Sequence, residues 1–254
     1  MNKKVRKPKV ELPIVQLLPN LMTIAAICAG LTAIRFGLQG DFPLAVLLIL
    51  IAGVLDGLDG LVARLLKSES EFGAELDSLA DFLNFGVAPV LLMYLWALQD
   101  MRSAGWISVL IFAICSVIRL ARFNVGNKSD TVVADNRFFV GVPSPAGALL
   151  VMLPMFISFR WPEAPLIADN LIVLYIIFVG LLLISRIPTW AFKTMTIYGD
   201  NVKFLLVGFV VVISSLLTYP WITLVVLDLM YIAGIIWSWR ASKKPEKQIG
   251  RAHV

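Results

Sequence analysis

Eight apolar blocks, each near the length that a lipid bilayer demands, follow one another along this chain of 254 residues. A crossing helix needs about 20 predominantly apolar residues. The blocks run at roughly 18–36, 43–64, 73–97, 105–123, 144–160, 170–186, 203–219 and 221–239, the last two parted only by Pro220. With 59% hydrophobic and 15% charged residues, the chain is too poor in charge for a water-facing globule, in which about a quarter of residues are charged. The expected fold is an all-α, polytopic integral membrane helix bundle of about eight spans, with room for one short or interfacial segment among them.

Charge placement gives the sidedness. Eight crossings put both termini on one side, together with the segments near 64–72, 119–143 and 186–203. Nineteen of the 22 Lys and Arg residues fall there, against Arg35, Arg102 and Arg160 on the other side. Positive residues accumulate on the cytoplasmic side, so both termini are expected in the cytoplasm. The basic face would also attract anionic headgroups of membrane lipids. The chain then divides into a basic segment 1–17, a transmembrane domain 18–239 and a basic tail 240–254. The first block is too long for a signal-peptide core and lacks a persuasive cleavage site, so it reads as an uncleaved span. The net charge of +5 belongs to this asymmetry and not to a nucleic-acid surface. Cys28 and Cys115 lie in apolar blocks and supply neither a disulfide framework nor a thiolate metal site. The one histidine, His253, is next to last, which excludes multi-histidine metal centres.

Carboxylates inside spans are costly and are candidates for function by default. Asp56 and Asp59 sit near the end of the second block, Asp77 and Asp81 near the start of the third, and Asp228 stands alone in the eighth. Spacings of three and four put each pair on one helix face. The second helix runs inward and the third returns. A rise of 1.5 Å per residue places Asp56 and Asp81 about 12 Å from the cytoplasmic helix ends, and Asp59 and Asp77 about 6–8 Å. The pairs match in depth, so four carboxylates can converge on one small volume. Such a group repels itself unless protonated or neutralised. All-oxygen ligation suits Mg²⁺ or Mn²⁺; pairing with Arg64, a polar cavity, or a proton or cation pathway would use the same acids.

The residues between the acids follow a pattern. Asp56-Gly57-Leu58-Asp59-Gly60-Leu61-Val62-Ala63-Arg64, eight residues, Gly73, three residues, Asp77, three residues and Asp81 spell D-x-x-D-G-x-x-A-R-x8-G-x3-D-x3-D. Gly60 and Gly73 lack a Cβ and let backbone approach a bulky ligand. Ala63 keeps the same face open, and Arg64 offers a phosphate its planar fork. Gly53 and Gly57 form a small-xxx-small pair; Gly53 is assigned to helix packing and Gly57 is left open. At every fixed position the pattern resembles the signature of the CDP-alcohol phosphotransferases, integral membrane enzymes of phospholipid synthesis.

That resemblance implies two divalent ions, Mg²⁺ or Mn²⁺, held by Asp56, Asp59 and Asp77, with Asp81 as general base and further ligand. It implies a CDP-diacylglycerol pocket lined by Gly60, Ala63, Arg64 and Gly73, with attack at the lipid-bearing phosphorus and loss of CMP. Within the family, residues 73–81, 85–89, 119–124 and 139–148, and Pro19 to Thr23, are most similar to the membrane-embedded phosphatidylserine synthases; the likeness covers roughly 18–150. L-Serine is then the expected acceptor, in a homodimer of the bacterial inner membrane whose active site faces the cytoplasm. Arg119 and Arg122 would bind the acceptor carboxylate or a lipid phosphate, or simply anchor the helix as inside positives. Asn124 and Ser144 would add polar contacts to the acceptor. Asn20 and Thr23 would bond the nucleotide or the bundle. Asn84 falls on or near the acidic face and Glu75 off it. The near alternative is the same chemistry with glycerol 3-phosphate, inositol phosphate or choline. The distant one is a cation or proton transporter, which gives no reason for the Gly, Ala and Arg spacing.

Overall fold

Apolar blocks separated by Gly, Pro and Asp become helices with well-marked ends. The computed structural model describes residues 17–128, 138–163, 167–185, 188–190 and 202–242, and eight helices lie among them. Helix α1 (Leu18–Leu38) carries Pro19 in its first turn, where no helical donor is lost. Helix α2 (Phe42–Leu65) is capped by Asp41, whose carboxylate accepts from the Leu44 amide at 3.2 Å. Helix α3 (Glu71–Ala97) opens on Ser70, whose hydroxyl accepts from the Gly73 amide at 3.0 Å. Helices α4 (Arg102–Lys128), α5 (Ser144–Arg160), α6 (Asp169–Ile184), α7 (Val202–Thr218) and α8 (Pro220–Ser242) follow.

All eight expected blocks are helical, but they are not equal. Helices α1, α2, α3, α4 and α8 are long and apolar enough to cross a bilayer. Helices α5, α6 and α7 are shorter; a helix of 17 residues reaches about 25 Å against a hydrocarbon core of about 30 Å. The chain is an integral membrane protein. The all-α expectation gains one small addition, a two-stranded antiparallel ribbon of β1 (Phe138–Val140) and β2 (Pro188–Trp190). The basic segment up to residue 16 and the tail from 243, with His253, lie outside the described residues.

Packing follows side-chain size. Helix α1 buries Ala26, Gly30, Ala33 and Gly37 at spacings of three and four, and this small-residue stripe lets α2 and α3 come close. At Gly30 the approach is tightest: an added Cβ would lie 2.0 Å from the Asn84 Oδ1 of α3. Helix α5 is central, with Leu150 to Phe156 all buried against Phe112, Ile172 and Ile176. In lipid these contacts gain through dispersion and close packing and not through leaving water. Pro154 inside α5 has no N–H for the Leu150 carbonyl; the Tyr175 hydroxyl of α6 donates to it instead, at 2.6 Å. Leu21, Val54, Leu174, Phe178, Phe209 and Val210 point outward, as lipid-facing residues do.

Helix α3 has an irregularity that hydropathy does not reveal. Its segment Phe82–Val87 widens into a π-turn between two α-helical stretches. Pro89 follows directly. In a regular helix its ring would press on the carbonyl four residues back, that of Phe85, and leave it unbonded. The wide turn removes that conflict.

Candidate active site

The site is built where the start of α1 packs against the end of α2 and the start of α3. A cavity of about 280 Å³ lies there. From α2 it is lined by Asp59, Gly60, Ala63 and Arg64, from α3 by Gly73 and Asp77, and from α1 by Asn20 and Thr23. All six residues expected to hold a CDP-linked lipid therefore share one wall system. An added Cβ on Gly60 would meet no described atom within 4 Å, so its bare face opens on space. Gly57 is equally open, whereas Gly53 faces the Phe85 ring at 3.5 Å and serves packing. Arg64 is exposed at the rim.

The acids divide by depth. Asp59 and Asp77 line the cavity, and Asp56 and Asp81 do not. The side chains of Asp56 and Asp81 lie close to each other, and Asp77 and Asp59 lie within electrostatic reach of that pair. The matching of depths across the hairpin produces this convergence. Thr23 is buried beside Asp59 and donates to its Oδ2 at 2.5 Å. The Thr23 hydroxyl also lies 3.1 Å from the Pro19 carbonyl, so both of its contacts among the described residues are within the bundle. Asn20 faces Gly73 across the cavity, its Oδ1 lying 3.0 Å from where a Cβ would stand.

Whether these residues suit a divalent cation rests on the atoms themselves. Asp56 Oδ1 is buried with no hydrogen-bond partner among the described residues, and a buried oxygen of that kind calls for one. The four donors are all carboxylate oxygens, the ligands that Mg²⁺ and Mn²⁺ prefer. Among the described residues no three such groups form a ready-made cage. The fit is one of donor chemistry and convergence, with the ligand sphere left to be completed by side-chain rotation and by substrate.

Arg119 of α4, which does not line the cavity, attracts Asp81. It also donates to the Ser144 hydroxyl at the start of α5, at 2.6 Å. Of the four residues expected at an acceptor site, Arg119 thus lies within reach of Asp81, and Ser144 is bonded to Arg119. The other two make other bonds. Arg122 is exposed and donates to the Ile184 carbonyl at 3.1 Å, satisfying the frayed end of α6. The Asn124 amide donates to the Ser78 hydroxyl of α3 at 3.0 Å. At about 100° per residue, position 124 points well away from position 119, which separates them. Asn84 is fully buried against Gly30, Glu75 is exposed, and Asp228 neighbours Tyr175 and not the acid cluster.

Two groups of site residues escape sequence reasoning. Ser68, Glu69 and Ser70 of the α2–α3 connection also line the cavity; the motif treats them as spacer, and their polarity was the only signal. Tyr231 of α8 lies within electrostatic reach of Arg119, and one tyrosine in an apolar block gives no signal at all.

Residues 16–164 match the family model described as CDP-alcohol phosphatidyltransferase, and residues 202–235 match that described as CDP-alcohol phosphatidyltransferase 2. The chain is 38% identical over 221 residues to the CDP-diacylglycerol–serine O-phosphatidyltransferase of Mycobacterium leprae, covering 87% of this chain and 73% of that protein. It is 36% identical over 229 residues to the protein of the same name from Mycobacterium tuberculosis, covering 90% and 80%. With that from Helicobacter pylori it shares 37% over 177 residues, covering 70% and 73%.

Proposed function

The chain belongs to the CDP-alcohol phosphatidyltransferase (CDP-alcohol phosphotransferase) family, and from that membership we propose that it transfers the phosphatidyl group of CDP-diacylglycerol to L-serine, giving phosphatidylserine and CMP. One observation carries the reading: four carboxyl groups lie within electrostatic reach of one another beside a cavity, with Arg119 within reach of Asp81. Phosphatidyl transfer to an amino acid needs a place for a pyrophosphate, a base within reach of an alcohol, and a cation for the acceptor's carboxylate. The cavity, the acids beside it and Arg119 within reach of Asp81 support that reading.

Asp56, Asp59 and Asp77, with Asp81 as a further ligand, would hold the divalent metal, Mg²⁺ or Mn²⁺ and two ions in our reading. When bound, the metal neutralises phosphate oxygens and the leaving phosphate. Thr23 orients Asp59 before substrate arrives. Arg64 at the rim offers a phosphate two parallel hydrogen bonds, and the open face of Gly60 leaves room for the nucleotide. Asp81 accepts the proton of the serine hydroxyl as that oxygen attacks the phosphorus bearing the diacylglycerol. The bond from this phosphorus to the oxygen of the CMP phosphate breaks, and CMP leaves. Arg119, steadied by Ser144, holds the serine carboxylate so that the hydroxyl faces Asp81.

We take 18–239 as one catalytic domain working as a homodimer, with both termini and the cavity on the cytoplasmic side of a bacterial inner membrane. The distribution of Lys and Arg supports the sidedness, and the relatives named are bacterial. The purified chain, given CDP-diacylglycerol, divalent metal and one acceptor at a time, tests the reading. CMP release with phosphatidylserine formation from serine is expected. A product formed only with glycerol 3-phosphate, inositol phosphate or choline overturns the acceptor. No product with any of them overturns the chemistry.

A further inference from the structure

Buried polar atoms without partners are uncommon in folded proteins, and where they gather they mark a place for a polar ligand. Two lie on α4 and α8, at the end of α5 where Arg119 bonds Ser144; α8 packs along α5, with Trp221 against Phe156 and Phe159 at the other end. Arg119 Nε and the Tyr231 hydroxyl are both buried with no hydrogen-bond partner among the described residues, and the two side chains lie within electrostatic reach of each other. Arg119 is already fixed through its Nη1, which donates to Ser144 at 2.6 Å. Its Nε therefore remains for something else. Nε–H can only donate, and the phenol donates readily beside a cation. Two neighbouring donors share one kind of complement, a small anion with two oxygens. Asp81 lies within reach of the same guanidinium, so an anion seated there is carried next to the base.

We propose that Tyr231 is an acceptor-binding residue, its hydroxyl and the Arg119 Nε together receiving the carboxylate of the acceptor amino acid. The assignment rests on the reading that the acceptor is serine. It brings α8 into a site whose motif residues all lie on α2 and α3. Residue 231 falls inside the second matched region, 202–235. A phenol suits the position because it donates to a carboxylate without adding charge, while its ring packs against the core. It also confers selectivity. An amino alcohol without a carboxylate leaves both donors desolvated and unpaired, which a buried site rejects strongly.

Tyr231→Phe removes only the hydroxyl and keeps the ring, so it is the variant to compare with the unaltered full chain. The KM for L-serine should rise roughly tenfold or more, while the KM for CDP-diacylglycerol stays within about twofold and the thermal midpoint holds. An unchanged serine KM overturns the proposal. So does a rise in both KM values together with a fall in the thermal midpoint, which would make the hydroxyl structural. An unaltered chain that does not use serine sinks the acceptor reading and this proposal with it. An unaltered chain that uses serine, with a Tyr231→Phe variant indistinguishable from it, sinks this proposal alone.

Discussion

Asp59 on α2 and Asp228 on α8 are almost equally hidden, at 3% and 4% exposure, in helices of one bundle. Their surroundings differ in kind. Asp59 borders an open cavity, receives a hydrogen bond from Thr23, and lies within reach of three further acids. Asp228 does not line that cavity and keeps Oδ2 without a partner among the described residues. Its neighbour Tyr175 already donates to the Leu150 carbonyl. In the reading proposed above, company and access, and not burial alone, set a carboxylate inside a membrane protein to chemistry.

Substitutions can break that contrast. Asp81→Asn should lower turnover by roughly a thousandfold, within the range general bases contribute, while CDP-diacylglycerol binding persists. Asp228→Asn, which keeps shape and removes charge, should lower turnover by less than about threefold. Steady-state rates and lipid binding on both variants decide it; equal losses would make Asp228 part of the chemistry. A smaller effect separates the two arginines of α4. Arg119→Ala should raise the serine KM by roughly thirtyfold or more, whereas Arg122→Ala, which among the described residues loses a bond to the Ile184 carbonyl, should cost about 1 kcal/mol of stability. A serine KM that responds equally to both returns Arg122 to the acceptor site.

Thr23→Val removes the donor to Asp59 at nearly constant volume. Turnover should fall roughly tenfold, with a raised requirement for divalent metal in titrations; an unchanged metal requirement would separate Thr23 from ligand positioning. The finest test compares two glycines. Gly60→Ala enters open space and should leave the thermal midpoint level or raised, by up to about 1 kcal/mol of helix preference, while weakening CDP-diacylglycerol binding. Gly30→Ala meets Asn84 and should destabilise by about 1–3 kcal/mol. Destabilisation by Gly60→Ala would mean that its face is packed.

Much of the acid hairpin was legible because the constraint there is local. Asp56, Asp59, Asp77 and Asp81 sit on two neighbouring helices joined by a short connection, so spacing alone fixes facing and depth. The eight helices were legible for a similar reason, since hydropathy is a property of each segment by itself. Arg119 and Ser144 came together across 25 residues and were grouped by resemblance, but nothing in α4 indicated that Arg122 would turn to α6 instead. Tyr231 was invisible, because its meaning depends on which helix α8 packs against, and apolar patterning does not encode partners. The shortness of α5, α6 and α7 could be suspected from length; the ribbon between residues 138 and 190 could not.

The wide turn of α3 makes the number of residues in that helix matter as much as their identity. A π-turn absorbs one residue beyond the regular count, so the stretches before and after it are rotated by about 100° relative to an unbroken α-helix. Upstream, Asp77 and Asp81 face the acids of α2; downstream, Val90, Leu92 and Met93 face the core. Deleting any one residue between 82 and 87 would set the Pro89 ring back against a carbonyl of its own helix and turn one of these two faces out of phase. The shortened helix could keep the acids or the core in register, and not both.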